Sequence, residues 1–211
     1  MSRKTSVGSW GICLQVAFLG GQGTGKASLI HQVVGNGFVQ YGAKENIQDC
    51  INKTLPLPGM PNAVIMNTCD LHSFPPMKRV AIQRANIFVL VFSMDDEKSI
   101  LEVENYYNDI LELKRESNDY HNNRIPIVVV GNKSEGDGER KFNLEQFIYK
   151  IEQEWQCRYI EVSAKYGLNI AKLKSKIIEE TRLSYNVPLV PPTSSRKKKN
   201  SIAGRFKLLM S

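Results

Sequence analysis

Hydrophobic positions along the chain fall into two alternating rhythms. Cys13 to Leu19, Ile87 to Ser93 and Ile125 to Val130 are short apolar runs rich in β-branched residues, without the polar-out alternation of a half-solvated strand. Such runs predict strands buried on both faces, as in a parallel sheet covered by helices. A shorter strand is predicted over Arg158 to Val162. Between the strands the period lengthens. Val103, Tyr106, Tyr107, Ile110 and Leu111 recur at i, i+3, i+4, i+7 and i+8, and Leu144, Phe147, Ile148, Ile151 and Trp155 repeat the pattern, as do Ile170, Leu173 and Ile177. Each stripe predicts an amphipathic helix with one face on the core. Asn143 followed by Gln146 has the form of a capping box, and Gly35-Asn36-Gly37 marks the end of a helix from Lys26 to about Val34. Two segments of strand character, Ile47 to Leu57 and Ala63 to Thr68, flank Pro58-Gly59-Met60-Pro61 and predict an antiparallel edge hairpin. A short helix follows Pro75-Pro76. The order is β-α-ββ-α-β-α-β-α-β-α: one six-stranded α/β domain over 13–185, with a lead-in at 1–12 and a tail at 186–211.

In such a sheet ligands bind beyond the carboxyl ends of the strands, so the residues after each strand carry the chemistry. After the first strand comes Gly20-Gly21-Gln22-Gly23-Thr24-Gly25-Lys26-Ala27. Glycines there let the backbone turn N–H groups toward an anion, and Lys26 adds a point charge at the positive end of the helix, the design of a phosphate cradle. The full pattern GxxxxGK[ST] ends in a hydroxyl that ligates the Mg²⁺ of a nucleotide polyphosphate. Here that residue is Ala27, and Ser28 is one position late.

Composition narrows the partners. The 211 residues carry a net charge of +7, but six bases (Arg196, Lys197, Lys198, Lys199, Arg205 and Lys207) lie in the tail without an acid, and the domain is close to neutral. The basic balance therefore belongs to the tail and argues against a nucleic-acid-binding domain. Cys13, Cys50, Cys69 and Cys157 stand far apart without CxxC, as in a reduced intracellular chain, and the apolar runs are too short to span a bilayer, so a soluble protein is expected. His31, His72 and His121 are scattered and read as solvated.

Two more strand ends complete a set: Gly131-Asn132-Lys133-Ser134-Glu135 after the fifth, and Glu161-Val162-Ser163-Ala164-Lys165 after the sixth. With the phosphate loop, these resemble the small GTPases of the Ras superfamily over about Leu14 to Glu180. Phe74-Pro-Pro-Met-Lys-Arg79, Phe88 to Phe92 and Glu154-Trp-Gln-Cys157 look most like the Di-Ras and dexamethasone-induced Ras branch. The resemblance implies a P-loop NTPase fold, a Ras-like G domain with a mostly parallel sheet and helices on both faces, and GTP/GDP as ligand. It implies that Gly20 to Ala27 bind the phosphates and that Phe38, Asn132, Lys133, Glu135, Ser163, Ala164 and Lys165 surround the guanine. Lys133 lays its stem along the purine, the Ala164 N–H reads O6, and Phe38 meets the base edge-on or is a core residue. The family's NKxD ends in aspartate, which accepts from guanine N1–H and the exocyclic amine; Glu135 keeps that charge on a longer arm. Effectors are implied at 38–49 and 67–84.

The departures sit around the γ-phosphate and the metal. Where the family has DTAGQ, this chain reads Asn67-Thr68-Cys69-Asp70-Leu71, and the first-switch threonine aligns best with Asn46. Ala27, Asn46 and Asn67 thus replace expected metal ligands, and Leu71 stands at the water-orienting position, where it cannot hydrogen-bond. No catalytic set is intact, and weak Mg²⁺ binding with slow or absent hydrolysis is the expectation; an interaction module without nucleotide control is the alternative. The chain has leucine at 208 and no cysteine after Cys157, so prenylation is not expected, nor is myristoylation with Ser2. Arg196 to Lys199, Arg205, Phe206 and Lys207, with Ile202, Leu209 and Met210, suit a basic amphipathic segment on an anionic plasma-membrane inner face, a calmodulin target, or a nuclear address or solvated tail. A cytoplasmic monomer with peripheral membrane attachment is expected.

Overall fold

The structure is a computed structural model. It describes residues 14–35, 37–38, 54–55, 63–66, 68, 75–117, 124–136 and 143–185, and all that follows concerns these. Elements run β1 (Leu14–Leu19), α1 (Lys26–Val34), β2 (Thr54–Leu55), β3 (Ala63–Ile65), α2 (Pro75–Arg84), β4 (Ile87–Ser93), α3 (Lys98–Ser117), β5 (Ile127–Asn132), α4 (Leu144–Tyr149), β6 (Arg158–Glu161) and α5 (Ile170–Tyr185). They form a six-stranded sheet in the order β2-β3-β1-β4-β5-β6. β2 pairs antiparallel with β3, and the other neighbours are parallel.

β4 shows why its sequence reads as one apolar run. Ile87, Val89 and Val91 face a core shared with α1 and α5, whereas Phe88, Leu90 and Phe92 face a second core under α2, α3 and α4. Both sides of the strand are covered, so neither parity can be polar. The predicted hairpin is present as Thr54–Leu55 opposite Ala63 and Val64, and the rest of the predicted β2 lies outside the described residues. β5 begins at Ile127, two residues later than the pattern suggests, because Pro126 has no N–H to give a ladder; its carbonyl still accepts from Phe88 N at 2.9 Å. Asn143 caps α4 by accepting from Gln146 N at 3.0 Å. The helix then widens into a π turn over Lys150–Glu154. Trp155 closes that turn and stacks on Tyr107 of α3, ring centroids 4.0 Å apart. His31 corrects the expectation of a solvated side chain: it is buried, because α1 is enclosed by the sheet and α5.

Candidate functional site

β1 delivers the chain to its carboxyl end, where Gly20 runs against β4: a Cβ at Gly20 would stand 2.0 Å from the Val91 carbonyl oxygen. Only a glycine allows that approach. The loop then folds on itself around the Gly21 carbonyl, which accepts from the Lys26 ammonium at 2.6 Å and the Thr24 hydroxyl at 2.9 Å. Gly25 ends the loop in the left-handed region (φ 83°) and starts α1. A Cβ at Gly25 would meet the Asn132 side-chain nitrogen at 2.4 Å, so this glycine makes room for a residue 107 positions later in the chain.

Asn132, buried at the end of β5, joins all three sequence motifs. Its Nδ2 donates to Thr24 O in the phosphate loop at 2.9 Å, and its Oδ1 accepts from Ala164 N at 3.1 Å. The expected O6-reading N–H of Ala164 is therefore already engaged by Asn132. The Ala164 carbonyl accepts from Gln32 Nε2 of α1 at 2.7 Å, which fixes the third motif against the helix of the first. Ser163 is buried and its hydroxyl accepts from Tyr166 N at 3.1 Å, closing a tight turn; Lys165 is exposed, with its ammonium 5.1 Å from the Tyr166 ring centre.

The second motif is held as firmly. Lys133 adopts a left-handed backbone (φ 64°), and Ser134 N donates to Val162 O at 3.1 Å. Lys133 Nζ reaches both Asp95 oxygens at 3.2 Å, and Ser93 donates its hydroxyl to the same carboxylate. Partial burial would raise the Asp95 pKa, but the hydrogen bonds from Ser93 and Lys133 and the lysine charge outweigh it and hold the carboxyl below its usual range. Glu135 differs from Asp95: its Oε2 is buried and finds no hydrogen-bond partner among the described residues. Phe38 is 41% exposed, which removes the core alternative for this side chain.

On the metal side, Ala27 is fully buried in the first turn of α1 and brings a methyl group where a ligand oxygen is required. Ser28 is only half-buried and, one residue on, turns about 100° round the helix axis. Thr68 spends its hydroxyl on Phe18 O at 2.7 Å. No group of His, Cys, Asp and Glu among the described residues could hold a metal ion. Among the described residues, neither Ala27 nor Thr68 has a side-chain oxygen free to meet Mg²⁺. Asn46, Asn67, Cys69, Asp70, Leu71 and the tail residues Arg196, Lys197, Lys198, Lys199, Arg205, Phe206 and Lys207 lie outside the described residues.

Sequence reasoning missed two partners of this site. Glu102 of α3 places Oε2 where a Cβ of Gly21 would be, 1.7 Å from the constructed position, and Asp95 holds Lys133. Asp95 sits just after β4, a strand end that carries no motif, and Glu102 lies in the second turn of the helix that follows. A cavity of about 480 Å³ lies at the opposite end of the sheet, lined by Tyr107, Arg115, Arg124, Trp155, Cys157 and Glu180 among others.

A mostly parallel sheet with this strand order, a glycine-rich loop running into α1 and an asparagine bridging loop and base motifs define a P-loop α/β nucleotide-binding architecture. The Ras family model matches residues 15–183, and the chain belongs to the Ras family. Among curated relatives it is similar to GTP-binding protein Di-Ras1 of Mus musculus, 29% identical over 198 residues that cover 92% of this chain and 96% of the relative. Ras-related protein R-Ras of Rattus norvegicus is 29% identical over 187 residues (87% and 82%), and GTP-binding protein Rhes of Homo sapiens 28% over 177 residues (82% and 66%). Among the described residues no helix is long and apolar enough to cross a membrane.

Proposed function

We propose that the chain is a small guanine-nucleotide-binding protein of intracellular signalling that grips the base and phosphates but holds Mg²⁺ weakly and hydrolyses GTP slowly or not at all. The observation that carries the binding reading is Glu135 Oε2, a buried carboxylate oxygen in the motif position that reads guanine, without a donor among the described residues. Leaving such an oxygen unsatisfied costs on the order of 1–3 kcal/mol, which N1–H and the exocyclic amine of guanine would recover. When bound, the nucleotide supplies the phosphoanhydride and a two-state ligand. Lys26 and the loop N–H groups would take its phosphates, the Lys133 stem and Phe38 its base, and Asn132 would keep loop and base sites in register.

The metal half follows from chemistry at two positions. Ala27 offers no oxygen, and Asn67 in place of aspartate offers a neutral one. At about 1.5–3 kcal/mol for each charge-directed contact, losing two weakens Mg-nucleotide binding by more than a hundredfold. Leu71 cannot orient a water, so hydrolysis loses its positioning group. Effector contact is proposed through 38–49 and 67–84. Within the second range Met77 and Val80 of α2 are 55% and 45% exposed, apolar surface that a partner could cover. The basic tail is proposed to bind anionic lipid at the inner face of the plasma membrane. Vesicles of phosphatidylcholine with and without phosphatidylserine test the tail, and equal binding to both removes that assignment.

The chain purified in Mg²⁺, denatured and chromatographed should release GDP or GTP, and guanine nucleotide should raise its Tm. Absence of both supports the alternative, an interaction module without nucleotide control. Ala27→Ser with Asn67→Asp should tighten Mg-dependent binding, and EDTA should weaken wild-type binding less than about tenfold, below the loss of even one 1.5 kcal/mol contact. A much larger EDTA effect would show that other oxygens hold the metal.

A further inference from the structure

The nucleotide reading above uses one cation at the base, Lys133, and one base-reading carboxylate, Glu135. The structure places a second carboxylate there. Asp95 follows β4 and is aimed at Lys133 by a chain of contacts that begins in the sheet: Met94 N donates to Asn132 O at 2.9 Å, tying the ends of β4 and β5 together. Ser93 N donates to Ser99 Oγ of α3 at 2.9 Å, and the Ser93 hydroxyl donates to Asp95 Oδ1. Lys133 Nζ then sits 3.2 Å from each Asp95 oxygen.

Lys133 and Glu135 share one tight turn, closed by Gly136 N donating to Lys133 O at 3.3 Å. A glutamate two residues from a lysine on the same turn is within reach of its ammonium, and its extra methylene relative to aspartate extends that reach. An ion pair between them would neutralise the carboxylate that guanine needs and tie down its oxygen. The observed arrangement avoids this: the ammonium goes to Asp95, and Glu135 Oε2 keeps no hydrogen-bond partner among the described residues.

We propose that Asp95 is a positioning residue for base selectivity: it captures the Lys133 ammonium, lays the lysine stem across the base site, and leaves Glu135 Oε2 open to the guanine N–H donors. The inference rests on the nucleotide reading. Asp95 is the anion at neutral pH, in keeping with its lowered pKa. Aspartate here accompanies glutamate at position 135, and the two acids divide one lysine and one base between them.

The test compares GDP with inosine diphosphate, which lacks the exocyclic amine that Glu135 would read. Affinities are measured for wild type, Asp95→Asn, Asp95→Glu, Lys133→Met and Asp95→Asn/Lys133→Met, with Tm recorded for each. Wild type should prefer GDP. Asp95→Asn should shrink the GDP-to-inosine-diphosphate ratio by about twofold to fivefold at nearly unchanged Tm, the range expected of one partly exposed charge pair. Asp95→Glu should retain most of the preference, and in the Lys133→Met background Asp95→Asn should change the ratio no further. An unchanged ratio in Asp95→Asn, or an equal loss with Lys133 absent, overturns the proposal while leaving nucleotide binding in place. A wild type that binds neither nucleotide overturns the nucleotide reading and this inference with it.

Discussion

The contact between Gly21 and Glu102 gives a prediction whose sign depends on a second residue. A Cβ at Gly21 would lie 1.7 Å from Glu102 Oε2, 2.8 Å from its Cδ and 3.4 Å from Oε1. The carboxylate would have to retreat by more than 1 Å, and only side-chain torsions stand in its way. Swinging the far end of a flexible, half-buried side chain aside costs on the order of 0.5–1.5 kcal/mol. The φ of Gly21 is not positive, so alanine is compatible with its backbone and would gain about 0.4–1 kcal/mol by restricting the unfolded chain. Gly21→Ala alone should therefore be neutral to slightly destabilising, by up to about 1 kcal/mol, whereas in a Glu102→Ala background it should stabilise by about 0.4–1 kcal/mol. Gly20 supplies the control. Its Cβ would strike the Val91 carbonyl oxygen at 2.0 Å and the carbonyl carbon at 3.0 Å, backbone held inside the sheet. Gly20→Ala should cost about 3 kcal/mol or more in either background. Urea denaturation of the six proteins, with slopes compared to confirm equal exposed surface, measures both couplings. An equal penalty for Gly21→Ala with and without Glu102 would refute the reasoning, since it would locate the clash elsewhere.

Three further outcomes test the packing of the site and of the opposite end of the sheet. Asn132→Ala removes the links to Thr24 O and Ala164 N and should cost about 2–3 kcal/mol in urea as well as nucleotide retention; Asn132→Asp, which keeps the acceptor, should recover part of the stability, and equal losses would mean that the donor side alone matters. Glu180 is 1% exposed, bonded by Arg124 Nε at 2.6 Å and flanked by Arg158 at 3.6 Å. Arg124→Met should lower Tm by about 6–12 °C by stripping a buried carboxylate of its nearer partner, and Glu180→Gln added to it should restore part of that loss; no rescue would exclude the charge as the cause. At alkaline pH the Cys157 thiol, pushed up to about 12 by burial and by the Glu180 charge, and Tyr107, also near 12 through burial, keep their protons in the fold after the unfolded chain has released them. Their stabilisation is complete below pH 9 and is lost progressively between about 9 and 12, so urea midpoints should fall across that window; a flat profile, or Cys157 alkylation by iodoacetamide at a free-thiol rate at pH 8, would contradict it.

Most of the sheet was legible because its signals are local. β4 and β5 read as apolar runs, Gly35 as a helix stop and Asn143 as a cap, and each needs only a few neighbours to act. The π turn at Lys150–Glu154 was not legible, since the periodic stripe continues through it; Trp155 meets Phe147 of its own helix and reaches Tyr107 because α3 lies alongside. The same division holds in the site. Phosphate loop and base motifs are contiguous strings, whereas the pairs Gly21 with Glu102 and Asp95 with Lys133 join residues that only the β1-β4-β5 order brings together. In the segment where β4 ends, Ser93 closes the strand after six apolar residues and Asp95 follows two positions later, polar groups that the sequence alone displays.

The phosphate loop is shaped entirely by groups other than a metal ligand. Lys26 and Thr24 converge on the Gly21 carbonyl, Asn132 holds the Thr24 carbonyl from the far strand, and Glu102 occupies the space beside Gly21. None of these contacts uses the side chain of residue 27, so replacing a hydroxyl by the methyl of Ala27 removes a ligand without removing a support. A preformed loop does not have to be ordered by its ligand, which lowers the entropic cost of binding an anion. The base-reading half is attached to the same scaffold through Asn132 and Gln32. The weak metal binding proposed above and the retention of a base and phosphate cradle are therefore physically separable in this fold. Ala27 can stand in the chain without unravelling the site around it.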